Sequence, residues 1–145
     1  MATDGRKQTA AQRDLARAAA FRTELRRFLR RTESVAAEAG LTPERYDLLL
    51  MIQAGVDAGA PVRVTDLIES LQLRQTAVTE NVKRAVEAGL IERHRSPDDA
   101  RASLLRLTPE GERRLRAAYE GLRGDRATLK RAFAELDLLF RAASR

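Results

Sequence analysis

Arg93, His94, Arg95, Arg101 and Arg106 crowd into one short stretch, divided by Ser96-Pro97-Asp98-Asp99. A guanidinium is a permanently charged planar fork whose donors fit phosphate oxygens or the O6/N7 edge of guanine. Just upstream, Thr76, Thr79, Glu80, Lys83 and Arg84 recur at three- and four-residue spacing, which on a helix puts them on one side. On that side Arg84 can chelate a guanine edge, and Glu80 can accept a hydrogen bond from a cytosine amine. Thr76 or Thr79 can meet a thymine methyl or a phosphate, and Lys83 suits a phosphate. Thr79 can instead bond a backbone carbonyl one turn back. In the arginine-rich stretch Arg95 and Arg101 are the candidates for entering a narrow, strongly negative minor groove, with a nearby carboxylate steadying the guanidinium.

Catalysis finds little support in the same residues. Asp98 and Asp99 are adjacent in a turn-forming stretch, with no glycine-rich phosphate loop and no histidine placed to share a proton, so an enzyme is not expected. There is no cysteine, which excludes disulfides, thiolate metal sites and cysteine redox switches, and His94 is the only histidine. No cofactor or metal is expected.

The elements that must hold these side chains can be read from spacing and punctuation. Ala18, Phe21, Leu25, Phe28, Thr32, Val35 and Ala39 alternate steps of three and four, predicting one long amphipathic helix from about Ala10 that Gly40 stops. Residues 1–9 are polar and aperiodic and are expected to be disordered. Thr42-Pro43-Glu44 is a helix start, and the helix is predicted to run to about Ala54, burying Tyr46, Leu49 and Leu50, with Gly55–Pro61 as a loop. Val62-Arg63-Val64 suggests a very short strand, followed by a helix capped by Thr65 that buries Leu67, Ile68 and Leu71. A tight break at Gln72-Leu73-Arg74 leads to a helix over about 75–88 that buries Val78, Val82, Ala85 and Val86 and stops at Gly89. Residues 90–107 read as a β-hairpin. Thr108-Pro109-Glu110 opens a final helical stretch to about Ala143, with Leu115, Leu122, Leu129, Phe133, Leu136 and Phe140 at helical spacing; Gly121 and Gly124 leave open whether it is one bent helix or two.

Helix, tight turn, helix and an arginine-bearing hairpin make a winged helix-turn-helix, in which the first short helix braces the second so that its outer face can lie in a major groove. The fold class is therefore mainly α with a small β-wing: a winged helix-turn-helix over 42–107 flanked by N- and C-terminal dimerisation helices over 1–41 and 108–145. The dimer follows because the apolar stripes of the flanking helices have no third layer to cover them. Net charge is +6, yet residues 42–107 carry nine basic and ten acidic side chains, so any attraction to DNA must come from the placement of a few arginines. That balance keeps open a second reading, a winged-helix module that binds protein rather than DNA. No apolar run is long enough to cross a membrane, and the N-terminal residues lack a secretory apolar segment, so a cytoplasmic location is expected. Tyr46 and Tyr119 can line a ligand cavity or simply fill the core.

The stretches Leu41-Thr42-Pro43, Val64-Thr65-Asp66-Leu67, Thr76-Ala77-Val78-Thr79, Gly89-Leu90-Ile91-Glu92-Arg93, Asp99-Ala100-Arg101 and Leu105-Arg106-Leu107-Thr108-Pro109-Glu110-Gly111 also resemble the MarR family of bacterial transcriptional regulators, over about residues 12–140. The resemblance implies homodimers with interlocked terminal helices, bound to near-palindromic double-stranded DNA and usually repressing until a small-molecule inducer or an oxidant releases them. It places Thr79, Glu80 and Arg84 toward the major groove, makes Arg101 the wing arginine and gives Asp99 the task of orienting it. Two positions depart from the family pattern. Glu80 stands where a non-acidic residue is common, and Arg74 where a Ser or Thr cap is usual. Branches of the family that sense oxidants through cysteine, or zinc through several histidines, do not fit this composition.

Overall fold

The computed structural model describes residues 9–143, apart from the side chains of residues 139, 140, 142 and 143. Its elements follow in the order α1 (Ala10–Glu38), α2 (Pro43–Asp57), α3 (Val64–Leu71), α4 (Gln75–Glu87), β1 (Ile91–Arg95), β2 (Ser103–Leu107), α5 (Pro109–Gly121) and α6 (Arg123–Ala143). The expected disorder of residues 1–9 concerns, except for Thr9, a segment outside the described residues, as does the expected packing of the Phe140 side chain. Among the described residues no helix is long and apolar enough to cross a membrane.

Local chemistry explains most boundaries. Thr9 and Gln12 form a reciprocal cap for α1: the Thr9 N–H donates to Gln12 Oε1 at 2.7 Å, and the Gln12 N–H donates to Thr9 Oγ1 at 3.2 Å. At the other end Gly40 takes φ +73°, and the Leu41 N–H returns to the Ala36 carbonyl at 2.8 Å, the bond that closes a left-handed helix exit. α2 starts as its motif predicts, with the Thr42 hydroxyl accepting from the Arg45 N–H. It ends at Asp57 rather than near Ala54, and Gly55 is helical, not part of a loop. The reason is packing: a Cβ on Gly55 would stand 2.5 Å from Val62 Cγ2, so the missing side chain is what lets the connection fold back against the helix.

The expected strand at Val62–Val64 does not form. Val64 already belongs to α3, and Thr65 lies inside its first turn instead of capping it. Asp66 reaches back and accepts the Arg63 N–H at 2.7 Å, which satisfies the donor that a Thr65 cap would have left outside the helix. Val62 retains one sheet-like contact, its carbonyl accepting from the Leu105 N–H at 2.8 Å. α3 stops where Gln72 adopts φ +54°, a left-handed geometry costing a non-glycine residue about 1 kcal/mol, and the Gln72 side-chain amide compensates by donating to the Glu69 carbonyl at 2.7 Å.

α2 lies at the centre of the unit formed by residues 32–121, in contact with α3, α4, α5 and β2. Leu48, Leu49, Ile52, Leu67, Val78, Val82, Leu90, Ile91 and Leu105 are its fully buried core, and Tyr46 is core as well. β1 and β2 pair antiparallel, with Ile91 opposite Leu107, Arg93 opposite Leu105 and Arg95 opposite Ser103. The hairpin is thus rooted in the core at one end and exposed at the other.

Thr108 joins the wing to α5. Its hydroxyl donates to the Gly89 carbonyl at 2.6 Å and accepts from the Gly111 N–H at 3.1 Å, while its own N–H donates to the Leu90 carbonyl at 3.0 Å. Gly111 is obligatory at this approach, because a Cβ there would meet the Leu90 carbonyl oxygen at 2.1 Å. The C-terminal stretch is two helices, parted at Leu122, which is buried. Gly121 ends α5 where a Cβ would come within 2.7 Å of Val35 Cγ1.

The second unit comprises the chain up to residue 31 together with the chain from 122 onward. Within it Phe21 meets Phe133 edge to face with centroids 5.9 Å apart, and Arg31 Nε lies 3.6 Å from Asp125 Oδ2. The α1 stripe is only partly covered. Phe21, Leu25 and Phe28 are half-buried and Ala18 is exposed, whereas Thr32 and Val35, which belong to the other unit, are buried. Leu15, Leu29, Phe133 and Leu138 are exposed at 73%, 55%, 61% and 66%.

Candidate nucleic-acid interface

α4 is a two-sided helix. Val78, Val82 and Ala85 point into the core and are fully buried, which fixes the rotation of the helix. With that side anchored, Thr76, Thr79, Glu80, Lys83 and Arg84 all lie exposed on the other. Thr79 is therefore not tucked at the buried edge, and no bond from its hydroxyl to a preceding carbonyl is present among the described residues. Arg74 occupies the N-cap without a side-chain cap bond, so the first N–H groups of α4 are left to solvent or to an acceptor from outside.

Glu80 and Arg84 are not independent. Arg84 Nε donates to Glu80 Oε1 at 2.9 Å, an i,i+4 pair in the favourable order, with the acid N-terminal to the base. The four-residue spacing is visible in the sequence, whereas the contact depends on the rotamers of the two side chains. In solvent such a pair contributes little to stability. Its consequence is positional, since it lays the guanidinium along the helix beside the carboxylate.

The wing carries Arg93, His94, Arg95, Arg101 and Arg106, all exposed. Strand alternation separates them: Arg93 and Arg95 share the face of Ile91, while Glu92, His94 and Arg106 lie on the other, where His94 Nε2 stands 2.9 Å from Glu92 Oε1. Arg101 sits in the connection between the strands. Asp99 does contact it, but through the backbone: Asp99 Oδ1 accepts the Arg101 N–H at 2.9 Å, and the Asp99 carbonyl accepts the Ala102 N–H at 3.0 Å. Asp99 thus shapes the turn that presents Arg101, and no bond from its carboxylate to the guanidinium is present among the described residues. The Ser96 N–H closes the turn onto the Ala102 carbonyl at 3.1 Å.

A groove of about 420 Å³ runs between α2 and α5, with Leu50, Gln53 and Asp57 on one wall and Glu112, Arg116 and Tyr119 on the other. Tyr119, 41% exposed, lines this groove, while Tyr46 does not. Among the described residues no group of three or more His, Cys, Asp or Glu side chains is arranged to hold a metal ion.

The sequence profile of the MarR family matches residues 39–102, which hold α2, α3, α4, β1 and the wing turn. This region is a MarR-family winged helix-turn-helix. Over 79 residues, 54% of this chain, it is 28% identical to the uncharacterized HTH-type transcriptional regulator YdgJ of Bacillus subtilis, of which the match spans 46%. The fold is similar to that of wild-type MarR from E. coli in its apo form, with a TM-score of 0.67 at 19% identity over 87% of this chain and 94% of that one. It is likewise similar to the transcriptional repressor CouR bound to a 23-mer DNA duplex, with a TM-score of 0.65 at 26% identity over 86% of this chain and 89% of that one. The MarR-family match ends before Gly111, so the Thr108 clasp falls beyond it.

Proposed function

We propose that this protein is a homodimeric, sequence-specific DNA-binding transcriptional regulator, a repressor released by a small-molecule ligand. The observation that carries the DNA reading is the exposed face of α4, with Thr76, Thr79, Glu80, Lys83 and Arg84 held outward by a buried valine face and flanked by an arginine-bearing wing. α4 enters the major groove, where Arg84 and Glu80 read base edges and Lys83 takes a phosphate. Arg101 and Arg95 in the wing take the minor groove, with Asp99 setting the turn. The duplex-bound state of CouR supports this mode of docking, and its description as a repressor supports the sign of regulation.

Dimerisation is supported by Leu15 and Leu29 on α1 and Leu138 on α6, large apolar side chains left open to water in the unit that residues up to 31 and from 122 form. Residues 1–41 and 108–145 supply the dimer helices and 42–107 the DNA-binding region. Two copies then present two α4 helices about 10 bp apart on a near-palindrome, one helical turn of DNA. Release requires only that ligand binding favour a different separation of those helices by a few kcal/mol. A cytoplasmic site of action follows from this reading, as does a role other than catalysis.

The deciding experiment titrates the protein against a labelled duplex from upstream of its own gene and against a scrambled duplex, at two salt concentrations. A preference of about a thousandfold or more that weakens as salt rises supports the reading. Equal, weak binding to both, unaltered by Arg84→Ala and Arg101→Ala, would instead favour a winged helix that binds a protein partner.

A further inference from the structure

Under the wing turn lies a half-open cavity of about 310 Å³, lined by three separate stretches: the end of α2 with the connection to α3, the turn at 96–98, and β2. Its size is at the lower end of the range for small-molecule sites. The walls are tied to one another before any ligand arrives. The Leu105 N–H donates to the Val62 carbonyl at 2.8 Å, and Ser96, itself buried, holds the turn through its backbone bond to Ala102 and by accepting the Asp98 N–H at 3.4 Å.

The lining combines two chemistries. Val56, Val62 and Leu104 are aliphatic, and no aromatic ring lines the cavity, so a flat ligand would find nothing to stack on. The charged residues of the lining are two arginines, Arg63 and Arg106, and one acid, Asp98. Neither guanidinium has an ion-pair or hydrogen-bond partner among the described residues; Arg63 is bonded through its backbone N–H to Asp66. Two planar cationic donors without a protein partner, beside an aliphatic surface, match a molecule with a carboxylate at one end and a short saturated chain at the other.

We propose that this cavity is a binding site for a short-chain aliphatic carboxylate, with the chain against Val56, Val62 and Leu104 and the carboxylate shared by Arg63 and Arg106. A ligand so placed touches the wing and the connection leading into α3 together. The site is distinct from the groove between α2 and α5, and its test uses no DNA, so its failure would leave the DNA reading standing.

The test titrates hexanoate into the full-length, 15N-labelled protein and follows backbone amides. Saturable shifts confined to residues such as Val62, Arg63, Asp98 and Leu105, with inorganic phosphate and hexanol each binding at least about tenfold more weakly, support the site. Arg63→Gln and Arg106→Gln, both at exposed positions, should each raise the hexanoate Kd about tenfold, the loss of one charge-assisted hydrogen bond, while leaving Tm unchanged. The proposal is overturned by an absence of saturation, by shifts centred on the α2–α5 groove, by phosphate binding as well as hexanoate, or by indifference to both substitutions.

Discussion

Arg84 Nε and Glu80 Oε1 stand 2.9 Å apart on the outer face of α4, with side chains 63% and 50% exposed. A duplex approaching this face must either open the pair or accept it intact. In the proposed docking Glu80 also places a negative charge near the phosphates, so it should weaken indiscriminate attraction while leaving a directional acceptor for a base edge. Arg84→Ala should therefore lower affinity for the preferred duplex by about 1–3 kcal/mol and affinity for a scrambled duplex by less. Glu80→Gln should do the opposite to the background, raising binding to scrambled DNA. Fluorescence anisotropy on both duplexes at two salt concentrations checks the pair; equal losses on the two duplexes for Arg84→Ala would make that arginine a phosphate contact.

Gly111 and Gly89 offer a controlled comparison of two costs. At Gly111 a Cβ would fall 2.1 Å from a backbone oxygen, which cannot move aside as a side chain can, so Gly111→Ala should cost about 3 kcal/mol or more. At Gly89 the space is open and only the φ of +72° resists a side chain, so Gly89→Ala should cost about 1–2 kcal/mol. Denaturant unfolding of both variants measures the difference, and the reverse ranking would count against the close approach of α5 to Leu90.

Leu29→Glu and Leu138→Glu should weaken self-association by tenfold or more and leave the secondary structure of the 32–121 unit intact, because both side chains are already largely exposed within one chain. Sedimentation across a concentration series reads the dimer, and circular dichroism reads the fold. Unchanged dimerisation in both variants would put the interface elsewhere.

Hydrogen bonds from Arg113 and Arg114 hold the Glu110 carboxyl down to about 2, from an ordinary 4.5. The contribution of a depressed carboxylate is complete above its unfolded value and is lost as pH falls through its folded one. Native stability should accordingly decline between about 4.5 and 2 more steeply in the wild type than in Glu110→Gln. Acid titration of the unfolding midpoint tests this, and parallel curves would mean that the pairing with Arg113 and Arg114 is not maintained in solution.

Much of the fold was legible because its punctuation is chemical. Thr42-Pro43 and Thr108-Pro109 mark helix starts, and Gly40 and Gly89 mark exits with positive φ. The α4 face was legible for the same reason, since Val78, Val82 and Ala85 could belong only to a buried side. Three features resisted. The α3 start moved because Asp66, a longer-range partner than Thr65, caps the helix from inside. Gly55 looked like a loop residue because its reason for being glycine lies on Val62. Asp99 could be placed near Arg101 by proximity, but whether it would hold the guanidinium or the backbone depended on turn geometry that no spacing rule reveals.

One hydroxyl group ends up with structural authority beyond its size. Because Thr108 Oγ1 grips the exit of α4 at Gly89 and the entry of α5 at Gly111, α4 and α5 share a riveted corner. The connection from α5, which carries Arg116 and Tyr119, to the end of α4 therefore runs through one side chain as well as through the strands of the wing.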